Sequence, residues 1–334
     1  MKKVLVTGAN GFIGSNLCRR LTEEGCEVHA LVRKSSDLQF IKTLDLKLFF
    51  GDITRPETLL PAIKKVDTVF HVAGLAADWG PYSLFEKINF HGTQHVARAA
   101  ENAGVQRLVY VSTVAFHGFG KQNVTENDPP AEKLIPYAQT KWLAENWLWE
   151  FAKTSSLKIT AVRPGNVFGI NDRTFLFKYI DALLQGKFAE INHGQSKTCP
   201  VYVENLIDIM LLVAREAKAE GEAYLATDGL DITWHAFNSA LARALGTDLP
   251  KTSIPYGVAM AAARVYFGWH RLLGLKKEPF LTPYRVNNGG KDYHFSIQKL
   301  KGHFGYSPRV GLEEGLKRSV DSYRRFRNNT GMKA

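Results

Sequence analysis

The sequence predicts an α/β fold, in which a doubly wound parallel sheet of about seven strands carries a smaller C-terminal lobe. Three observations predict it. The chain opens with a short apolar segment that runs into three spaced glycines and then a helical pattern. Strand-like apolar segments and helical segments then alternate as far as Pro164, which is typical of a parallel sheet. Beyond Pro164 the alternation weakens, and prolines, aromatic residues and basic residues become frequent.

Each element follows from the apolar pattern along the chain. Seven segments have the length and character of buried strands, namely 4–6, 27–32, 47–50, 68–72, 108–112, 158–163 and 223–226. The clearest helical patterns lie between them at 15–24, 90–103 and 137–151. Because the last strand returns to the sheet, we predict one domain from 1–170 plus about 200–230. Residues 171–199 plus 231–334 would form the lobe over its cleft.

The turn after the first strand has a physical use for each of its glycines. Gly8 permits a tight turn, Gly11 lets the backbone approach a pyrophosphate, and Gly14 lets the helix pack closely on the strand. The helix N-terminus presents free N–H groups to the phosphates. The turn therefore predicts a dinucleotide site, with contacts from Gly8, Asn10, Gly11, Phe12, Ile13 and Gly14.

The end of the second strand indicates which dinucleotide binds. An acidic residue there binds the ribose 2′-hydroxyl of NAD, whereas a cation accommodates the 2′-phosphate of NADP. This chain has Val32-Arg33-Lys34-Ser35-Ser36, without an acid. We therefore predict that NADP(H) is preferred, with Arg33 as its main contact, and NAD(H) is the alternative.

A phenol and an ammonium lie four residues apart in a predicted helix that begins just after Pro136. This spacing places Tyr137 and Lys141 on one helix face. A nearby ammonium favours the phenolate, so we expect it to lower the pKa of Tyr137 from about 10 toward neutrality. Such a phenol can donate or accept a proton. The hydroxyls of Ser112 and Thr113, at a strand end, would face the same ligand edge.

Together these elements resemble the extended short-chain dehydrogenase/reductase family over nearly the whole chain. The shared motifs are Thr7-Gly8-x-x-Gly11-x-x-Gly14, Gly51-Asp52-Ile53, His71-Val72-Ala73-Gly74, Asn89-x-x-Gly92-Thr93, Val111-Ser112-Thr113, Tyr137-x-x-x-Lys141 and Arg163-Pro164-Gly165-Asn166-Val167-Phe168-Gly169. The resemblance implies a Rossmann fold that binds NAD(P), a substrate-binding lobe and hydride transfer.

The resemblance also implies residue roles. Tyr137 would be the general acid/base, Lys141 would bind the nicotinamide ribose and tune the tyrosine, and Thr113 would hydrogen-bond the substrate oxygen. Further cofactor contacts would come from Asp52 and Ile53 at the adenine, from Ala73 and Gly74, and from Pro164 and Val167 beside the nicotinamide. A homodimer through helices 90–103 and 137–151 is expected by analogy.

Two departures argue against the nucleotide-sugar epimerases and dehydratases of this family. These usually place an arginine for the diphosphate where this chain has Thr198, and the adjacent Lys197 lacks the bidentate fork of arginine. Dehydratases usually have an acid where this chain has Val114. The lobe instead resembles the 3β-hydroxysteroid dehydrogenase-like branch, through Pro279-Phe280-Leu281-Thr282-Pro283, Asp292-Tyr293-His294-Phe295-Ser296 with Lys299, and Leu312-Glu313-Glu314-Gly315-Leu316.

This branch implies a lipophilic ketone or secondary alcohol as substrate, such as a sterol, a flavonol or a β-keto acid. Segments 75–82 and 116–119 would line the cleft with apolar and aromatic surface. A nucleotide-sugar epimerase or dehydratase is the alternative. A non-catalytic dinucleotide sensor is a further alternative, but it has no need of the Tyr137, Lys141 and Thr113 set.

The net charge of +11 is concentrated in the last 80 residues, where 15 Lys or Arg stand against 5 Asp or Glu. No aromatic residues alternate with these cations in a nucleic-acid-binding pattern, so no nucleic acid partner is expected. Residues 254–275 are apolar, interrupted by Arg264, His270 and Arg271, and followed by Lys276-Lys277. We predict that they pack beside the cleft. Peripheral contact with an anionic membrane surface is the alternative.

The cysteines predict neither a metal centre nor a disulfide framework. Cys18, Cys26 and Cys199 are scattered without metal-ligand spacing, and no histidine pair supplies a zinc pattern. Scattered thiols of this kind are typical of a reducing compartment, so we expect no metal and a cytoplasmic protein, with peripheral membrane contact as the alternative above.

Overall fold

The computed structural model describes residues 1–275 and 277–330. As far as the middle of the chain the elements are β1 Lys3–Thr7, α1 Phe12–Glu23, β2 Glu27–Val32, β3 Lys47–Phe50, α2 Leu60–Ile63, β4 Thr68–His71, α3 Tyr82–Phe85, α4 Gly92–Asn102, β5 Arg107–Val111, β6 Lys121–Val124, α5 Pro136–Ala152 and β7 Lys158–Pro164. They are followed by β8 Asn166–Phe168, α6 Leu176–Leu184, β9 Glu190–Ile191, β10 Lys197–Thr198, β11 Pro200–Tyr202, α7 Val203–Arg215, β12 Ala223–Ala226, β13 Ile232–Thr233, α8 Trp234–Leu245, β14 Ser253–Ile254, α9 Tyr256–Leu272, α10 Pro283–Gly290, β15 Tyr293–Phe295, α11 Gln298–Phe304 and α12 Leu312–Thr330.

Seven of the described strands form the main sheet, in the order β12-β7-β5-β4-β1-β2-β3. Every neighbouring pair is parallel, so the C-terminal ends of all seven strands share one edge. The chain moves outward from β1 through β2 and β3, then crosses back to β4 on the other side. The predicted doubly wound parallel sheet is therefore confirmed, and β1 with β4 marks the switch point where such sheets bind ligands.

Alternate residues of the strands feed two separate cores, because successive side chains point to opposite faces of a sheet. On β1, Val4 and Val6 join the core that contains α1 and α7, whereas Leu5 joins the core that contains α2, α4 and α5. Helices therefore cover both faces of the sheet. The inner strands of the main sheet are buried, whereas the edge strand β3 is largely exposed, and polar side chains gather at the C-terminal edge.

The rest of the chain forms small strand pairs and further helices. Strand β8 pairs with β11, β9 with β14, and β6 with β15 in parallel, while β10 and β13 are antiparallel. The β6–β15 pair fixes the loop after β5 to the C-terminal part of the chain. The predicted division into 1–170 plus about 200–230 and 171–199 plus 231–334 stays a prediction, and its residues 276 and 331–334 lie outside the described residues.

Helix α9 contains most of the apolar segment 254–275. It packs on α10 through Ala259, Met260 and Ala263, and much of its other face is exposed. No helix in the described ranges is long and apolar enough to cross a membrane. Lys276, which the sequence places just after this segment, is not among the described residues.

Candidate active site

The backbone of the turn between β1 and α1 is packed too closely to leave room for a side chain at Gly8 or Gly14. Gly8 has a φ of +67°, and a Cβ there would lie 2.9 Å from the Cα of Ala73. A Cβ on Gly14 would lie 2.1 Å from the carbonyl oxygen of Gly8. Helix α1 starts after Gly11 without a cap from any described side chain. Its free N–H groups and partial positive charge fit a pyrophosphate.

Charged groups lie at the ends of β2 and β3. Arg33 is exposed on the cleft wall and forms no ion pair with a described residue. Its backbone N–H donates to the hydroxyl of Ser36 at 3.1 Å. Partial burial opposes ionisation of Asp52, but hydrogen bonds from Thr54 and the cations Arg33 and Arg55 lower its pKa on balance. This end of the cleft therefore has an ionised carboxylate and a cation available for a ligand.

A buried hydrogen-bond chain holds β1 and β4 together below the glycine turn. Burial lowers the pKa of His71 to about 3, so its ring is neutral at pH 7. Thr93 Oγ1 donates to the carbonyl of Asn89 at 2.6 Å and therefore accepts from His71 Nε2 at 3.0 Å. The Nδ1 atom then accepts from the hydroxyl of Thr7 at 2.8 Å. These contacts assign the imidazole proton to Nε2 and fix the two strand ends that carry the turn.

Tyr137 and Thr113 place two hydroxyl groups side by side on the cleft wall. Tyr137 lies in the first turn of α5, and Thr113 follows β5. Their side chains hydrogen-bond each other, and Thr113 Oγ1 also accepts the backbone N–H of Ala115 at 3.1 Å. Burial raises the pKa of Tyr137, and the hydrogen bond with Thr113 opposes this shift only in part. Tyr137 is therefore a protonated phenol at neutral pH.

Lys141 lies one helical turn from Tyr137, behind the cleft wall. Its Nζ donates to the carbonyl of Val111 at 2.6 Å and lies 4.0 Å from the ring centroid of Tyr110. Burial lowers the pKa of Lys141 to about 7, although the carboxylate of Glu145 acts in the other direction. The expectation that this ammonium lowers the pKa of Tyr137 toward neutrality is wrong here, because burial of the phenol dominates and raises its pKa.

A buried ion pair supports Lys141 from behind. Glu145, one turn further along α5, is 2% exposed, and Arg163 at the end of β7 is 9% exposed. The Arg163 Nη2 and Nε atoms donate to Glu145 Oε1 at 2.5 and 3.0 Å. Arg163 also donates to the carbonyl of Glu126 at 2.9 Å. Buried charges require hydrogen bonds of this kind. These bonds also hold α5, the helix that carries Tyr137 and Lys141, against the end of β7.

A cleft of about 1400 Å³ runs from the glycine turn, past Tyr137, into the C-terminal part of the chain. The predicted site residues on its wall are Gly8, Asn10, Gly11, Phe12, Ile13, Gly14, Arg33, Asp52, Ile53, Ala73, Gly74, Thr113, Tyr137 and Val167. Two predicted residues lie behind the wall: Lys141, and Pro164, whose carbonyl accepts the N–H of Val114 at 3.1 Å. Typical small-ligand sites measure about 300–1000 Å³, so the cleft has room for a dinucleotide and a second ligand.

The far end of the cleft is mainly apolar, with a few polar groups among the aromatic rings. Its wall there includes Ile135, Phe175, Phe188, Ile191, Ile254, Val258, Phe280, Leu281, Tyr284 and Tyr293. The phenols of Tyr284 and Tyr293 hydrogen-bond each other, and burial raises the pKa of both. Both phenols are close enough to Tyr137 to interact with it electrostatically. An apolar wall with few polar groups suits a lipophilic ligand.

Residues 75–78 reach the cleft wall as predicted, and two contacts hold them there. Asn89, in a π-helical segment between α3 and α4, accepts from the N–H of Leu75 at 2.8 Å and donates to its carbonyl at 3.1 Å. Asp78 accepts from Arg285 at 3.0 Å across the cleft mouth. Residues 79–82 are not on the wall, because Trp79 turns away and packs on Phe267 of α9, with ring centroids 4.9 Å apart.

The predicted lining by residues 116–119 is wrong. Phe116 is buried under the guanidinium of Arg163, 4.9 Å from its ring centroid. Phe119 packs against Tyr284 and Tyr293, with centroid distances of 5.2 and 4.6 Å, and so supports the wall from behind. An aromatic pattern alone could not distinguish residues on the wall from residues behind it.

Sequence reasoning missed the polar wall residues that come from late in the chain. These are chiefly Arg173, Asn238, Tyr284, Arg285, Asn288 and Tyr293. One signal was available for two of them. Thr282-Pro283 is a helix start, in which the Thr282 hydroxyl accepts from the backbone N–H of Arg285 at 3.2 Å. It places Tyr284 and Arg285 in the first turn of α10, which opens on the cleft.

Comparisons with known proteins agree with this geometry. The model of the NAD dependent epimerase/dehydratase family matches residues 4–226. The chain is 32% identical to "Sterol-4-alpha-carboxylate 3-dehydrogenase, decarboxylating" of Mus musculus, over 98% of this chain and 92% of the relative. It is 30% identical to "2-alkyl-3-oxoalkanoate reductase" of Stenotrophomonas maltophilia (strain K279a), over 95% and 98%. The crystal structure of gox2253 superposes with a TM-score of 0.82 at 28% identity, covering 98% and 99%.

Proposed function

The chain belongs to the NAD dependent epimerase/dehydratase family as an NAD(P)-dependent dehydrogenase/reductase, and we propose that it acts on a ketone or secondary alcohol of a lipophilic substrate. One observation carries this proposal. The paired hydroxyls of Tyr137 and Thr113 lie on the wall of one cleft, between the glycine turn and a mainly apolar end. This arrangement offers a proton at the point where a bound dinucleotide and an apolar ligand would meet.

The chain's own residues would position the oxygen and move the proton. A bound nicotinamide dinucleotide supplies the hydride donor or acceptor. The Tyr137 phenol, protonated at neutral pH, gives its proton to a carbonyl oxygen, and the Thr113 hydroxyl holds that oxygen in place. Lys141, fixed behind Gly74, would hold the cofactor ribose. Because burial raises the pKa of Tyr137, the phenol is in the acid form that reduction of a ketone requires at pH 7.

We propose NADP(H) as the preferred cofactor, with NAD(H) as the alternative. The glycine turn would bind the pyrophosphate, Asp52 and Ile53 the adenine, and Pro164 and Val167 the nicotinamide side. The Arg33 guanidinium is exposed and has no ion-pair partner among the described residues, so it is suited to bind a 2′-phosphate.

Arg33→Asp tests this preference. We expect affinity for NADPH to fall by on the order of tenfold or more, because a charge-assisted hydrogen bond is replaced by repulsion. Affinity for NADH should change little or improve. Fluorescence titration of both nucleotides measures the two dissociation constants, and Lys34→Asp, one residue away, is the control. An equal loss for NADH and NADPH would rule out the 2′-phosphate contact.

Two observations support a lipophilic substrate over a nucleotide sugar. The names of the two relatives describe a sterol carboxylate and an alkyl-substituted oxo acid, both with apolar skeletons. In this chain Lys197, the candidate diphosphate ligand, pairs with Asp231 at 2.5 Å and does not line the cleft. Thr198 is buried and bonded to Asn166 at 3.2 Å. Neither side chain is placed to neutralise a diphosphate.

Oxidation of NADPH tests the reaction and the substrate class together. We expect turnover with keto-steroids or long-chain 3-oxo acids, and none with UDP-sugars. Tyr137→Phe should lower kcat by on the order of a hundredfold or more, while nucleotide affinity stays unchanged. A UDP-sugar substrate would favour the epimerase/dehydratase alternative. Tight nucleotide binding without any activity would favour the sensor.

We also propose a homodimer through α4 and α5. Helix α5 carries four half-buried aromatic residues, Trp142, Trp147, Trp149 and Phe151. Trp147 and Phe151 stack with centroids 4.8 Å apart, and Arg98 of α4 lies 5.7 Å from the Trp147 ring. Aromatic residues with a neighbouring arginine are typical of the central part of a protein interface.

A further inference from the structure

The exposed apolar side chains of this protein are concentrated in one place. Nine of the sixteen large ones in the described chain fall within 254–280. These nine define the α9 surface: Ile254, Val258, Val265, Tyr266, Trp269, Leu272, Leu273, Leu275 and Phe280. Single exposed apolar residues are normal on a protein, whereas a contiguous group marks an interaction site.

The α9 surface faces outward because the opposite side of the helix is already packed. Ala259, Met260 and Ala263 lie against α10, and Phe267 lies against Trp79 of the loop after β4. Val258, Val265, Trp269 and Leu272 follow one another at intervals of seven, four and three residues, which places them on one helix face. Their side chains are 61%, 60%, 58% and 79% exposed. Helix α9 is therefore fixed to the protein and presents an apolar ridge.

The charge around this ridge has one sign. Residues 249–277 contain no Asp or Glu. Arg264, Arg271 and Lys277 are exposed and form no ion pair with any residue that the structure describes. An apolar helix face bordered by unpaired cations complements a bilayer with anionic headgroups. A second copy of this chain complements it poorly, because the same cations would face one another.

The ridge continues into the cleft. Ile254, Val258 and Phe280 belong to the α9 surface and also line the cleft wall. Ala262 lines both the cleft and a shallow apolar groove that runs along α9 to Leu275. A ligand that leaves a bilayer along this groove stays in contact with apolar atoms as far as the cleft.

We propose that the α9 surface docks on an anionic lipid bilayer and that lipophilic substrate passes between the bilayer and the cleft along it. The docking stands on the exposed face and the charge pattern. The passage of substrate rests on the proposed function.

Co-sedimentation of the full chain with lipid vesicles tests the docking. Vesicles of phosphatidylcholine with about one-third phosphatidylserine should bind the protein, more weakly at high salt, whereas phosphatidylcholine alone should bind it poorly. Trp269→Ser combined with Leu272→Ser should weaken binding by on the order of tenfold or more. Arg264→Gln and Arg271→Gln should each weaken it by roughly fivefold.

Two controls match these variants in chemistry but lie elsewhere. Leu60→Ser removes a leucine that is 60% exposed from α2, and Arg325→Gln removes an exposed cation from α12. Neither should change vesicle binding. Failure to bind anionic vesicles, or equal loss in the controls, would overturn the docking. So would a dimer, measured by light scattering, that Trp269→Ser with Leu272→Ser converts to monomer, since the ridge would then hold a second copy.

Kinetics separate the docking from the proposed function. With a keto-steroid embedded in vesicles, Trp269→Ser with Leu272→Ser should lower turnover severalfold. With a short water-soluble 3-oxo ester its turnover should equal that of the wild type, since neither residue lines the cleft. Equal turnover on the embedded substrate would overturn the passage route. Vesicle binding without activity on any ketone would leave the docking in place and contradict the proposed function alone.

Discussion

Burial of Lys141 acts against three interactions that favour its charge. Burial disfavours its charge, while the Val111 carbonyl at 2.6 Å, the Tyr110 ring and the Glu145 carboxylate favour it. Burial dominates and lowers the pKa of Lys141 to about 7. Protonated Lys141 therefore lowers the free energy of unfolding of the protein.

This destabilisation by protonated Lys141 predicts that the free energy of unfolding depends on pH. In the unfolded chain lysine has a pKa of about 10.4, so between pH 7 and about 10 the unfolded state binds more protons at this site. The free energy of unfolding of the ligand-free protein should rise with pH by up to about 1.4 kcal/mol per unit from this group. Lys141→Met should lack this increase and be the more stable protein near pH 7.

Urea denaturation of both proteins from pH 7 to pH 9 measures the difference. Comparing the two chains cancels other groups whose protonation differs between the folded and unfolded states in this range. One of them is Cys18, whose pKa burial raises to about 12 in the folded protein. Parallel curves for the wild type and Lys141→Met would show that the ammonium is not penalised in the folded state.

At the residue scale, the sequence predicted which face of an element a side chain lies on better than how deeply that side chain is buried. The four-residue spacing placed Tyr137 and Lys141 on one side of α5, but it could not show how deeply each would be buried. The direction of the Tyr137 pKa was therefore missed. The sequence placed the hydroxyls of Ser112 and Thr113 at the same ligand edge, yet only Thr113 lines the cleft, whereas the Ser112 hydroxyl is buried without a described partner. Neighbouring residues at a strand end point to opposite sides.

At the scale of elements, the β1–α1 turn depends on glycines, which have no Cβ atom. Gly14→Ala would place a Cβ 2.1 Å from the Gly8 oxygen, so the helix must move away from the turn. We expect a loss of about 1–3 kcal/mol in the free energy of unfolding and at least about tenfold weaker dinucleotide binding.

Gly302→Ala in α11 is the matched control for this variant. A Cβ there meets no atom within 4 Å, so the change should be neutral or slightly stabilising. Thermal unfolding and nucleotide titration compare the two variants. Unchanged nucleotide affinity in Gly14→Ala would show that the turn does not hold the phosphates.

The main-sheet strands were predictable and the small strand pairs were not. Predicted and observed ranges coincide for β2, β3 and β12, and they differ by one residue at one terminus for β4 and β7 and at both termini for β1 and β5. These strands carry apolar runs that the sequence displays. By contrast, β9 and β14 have two residues each, Glu190–Ile191 and Ser253–Ile254, too few for a periodic pattern. Their pairing depends on contacts between distant parts of the chain, so local sequence carried no signal for it.

At the scale of the whole molecule, the proposed dimer can be tested on α5. Trp147→Glu places a charge beside Phe151, in the middle of the proposed interface. We expect light scattering to give twice the monomer mass of 37.4 kDa for the wild type and the monomer mass for this variant. Leu184→Glu, at the exposed end of α6, should leave the mass unchanged. A wild-type monomer would contradict the interface.

The position of β12 has a consequence for synthesis of the protein. This strand forms the outer edge of the main sheet beside β7, yet the chain makes β8, α6 and α7 before it reaches Ala223. A nascent chain that has just released β7 from the ribosome therefore presents an apolar strand, 158–164, with one row of backbone groups unpaired. Unpaired strand edges of this kind pair with other incompletely folded chains and lead to aggregation. Chains truncated shortly before residue 223 should accordingly be caught by aggregation or by chaperones, even though every residue named for the dinucleotide is already present in them.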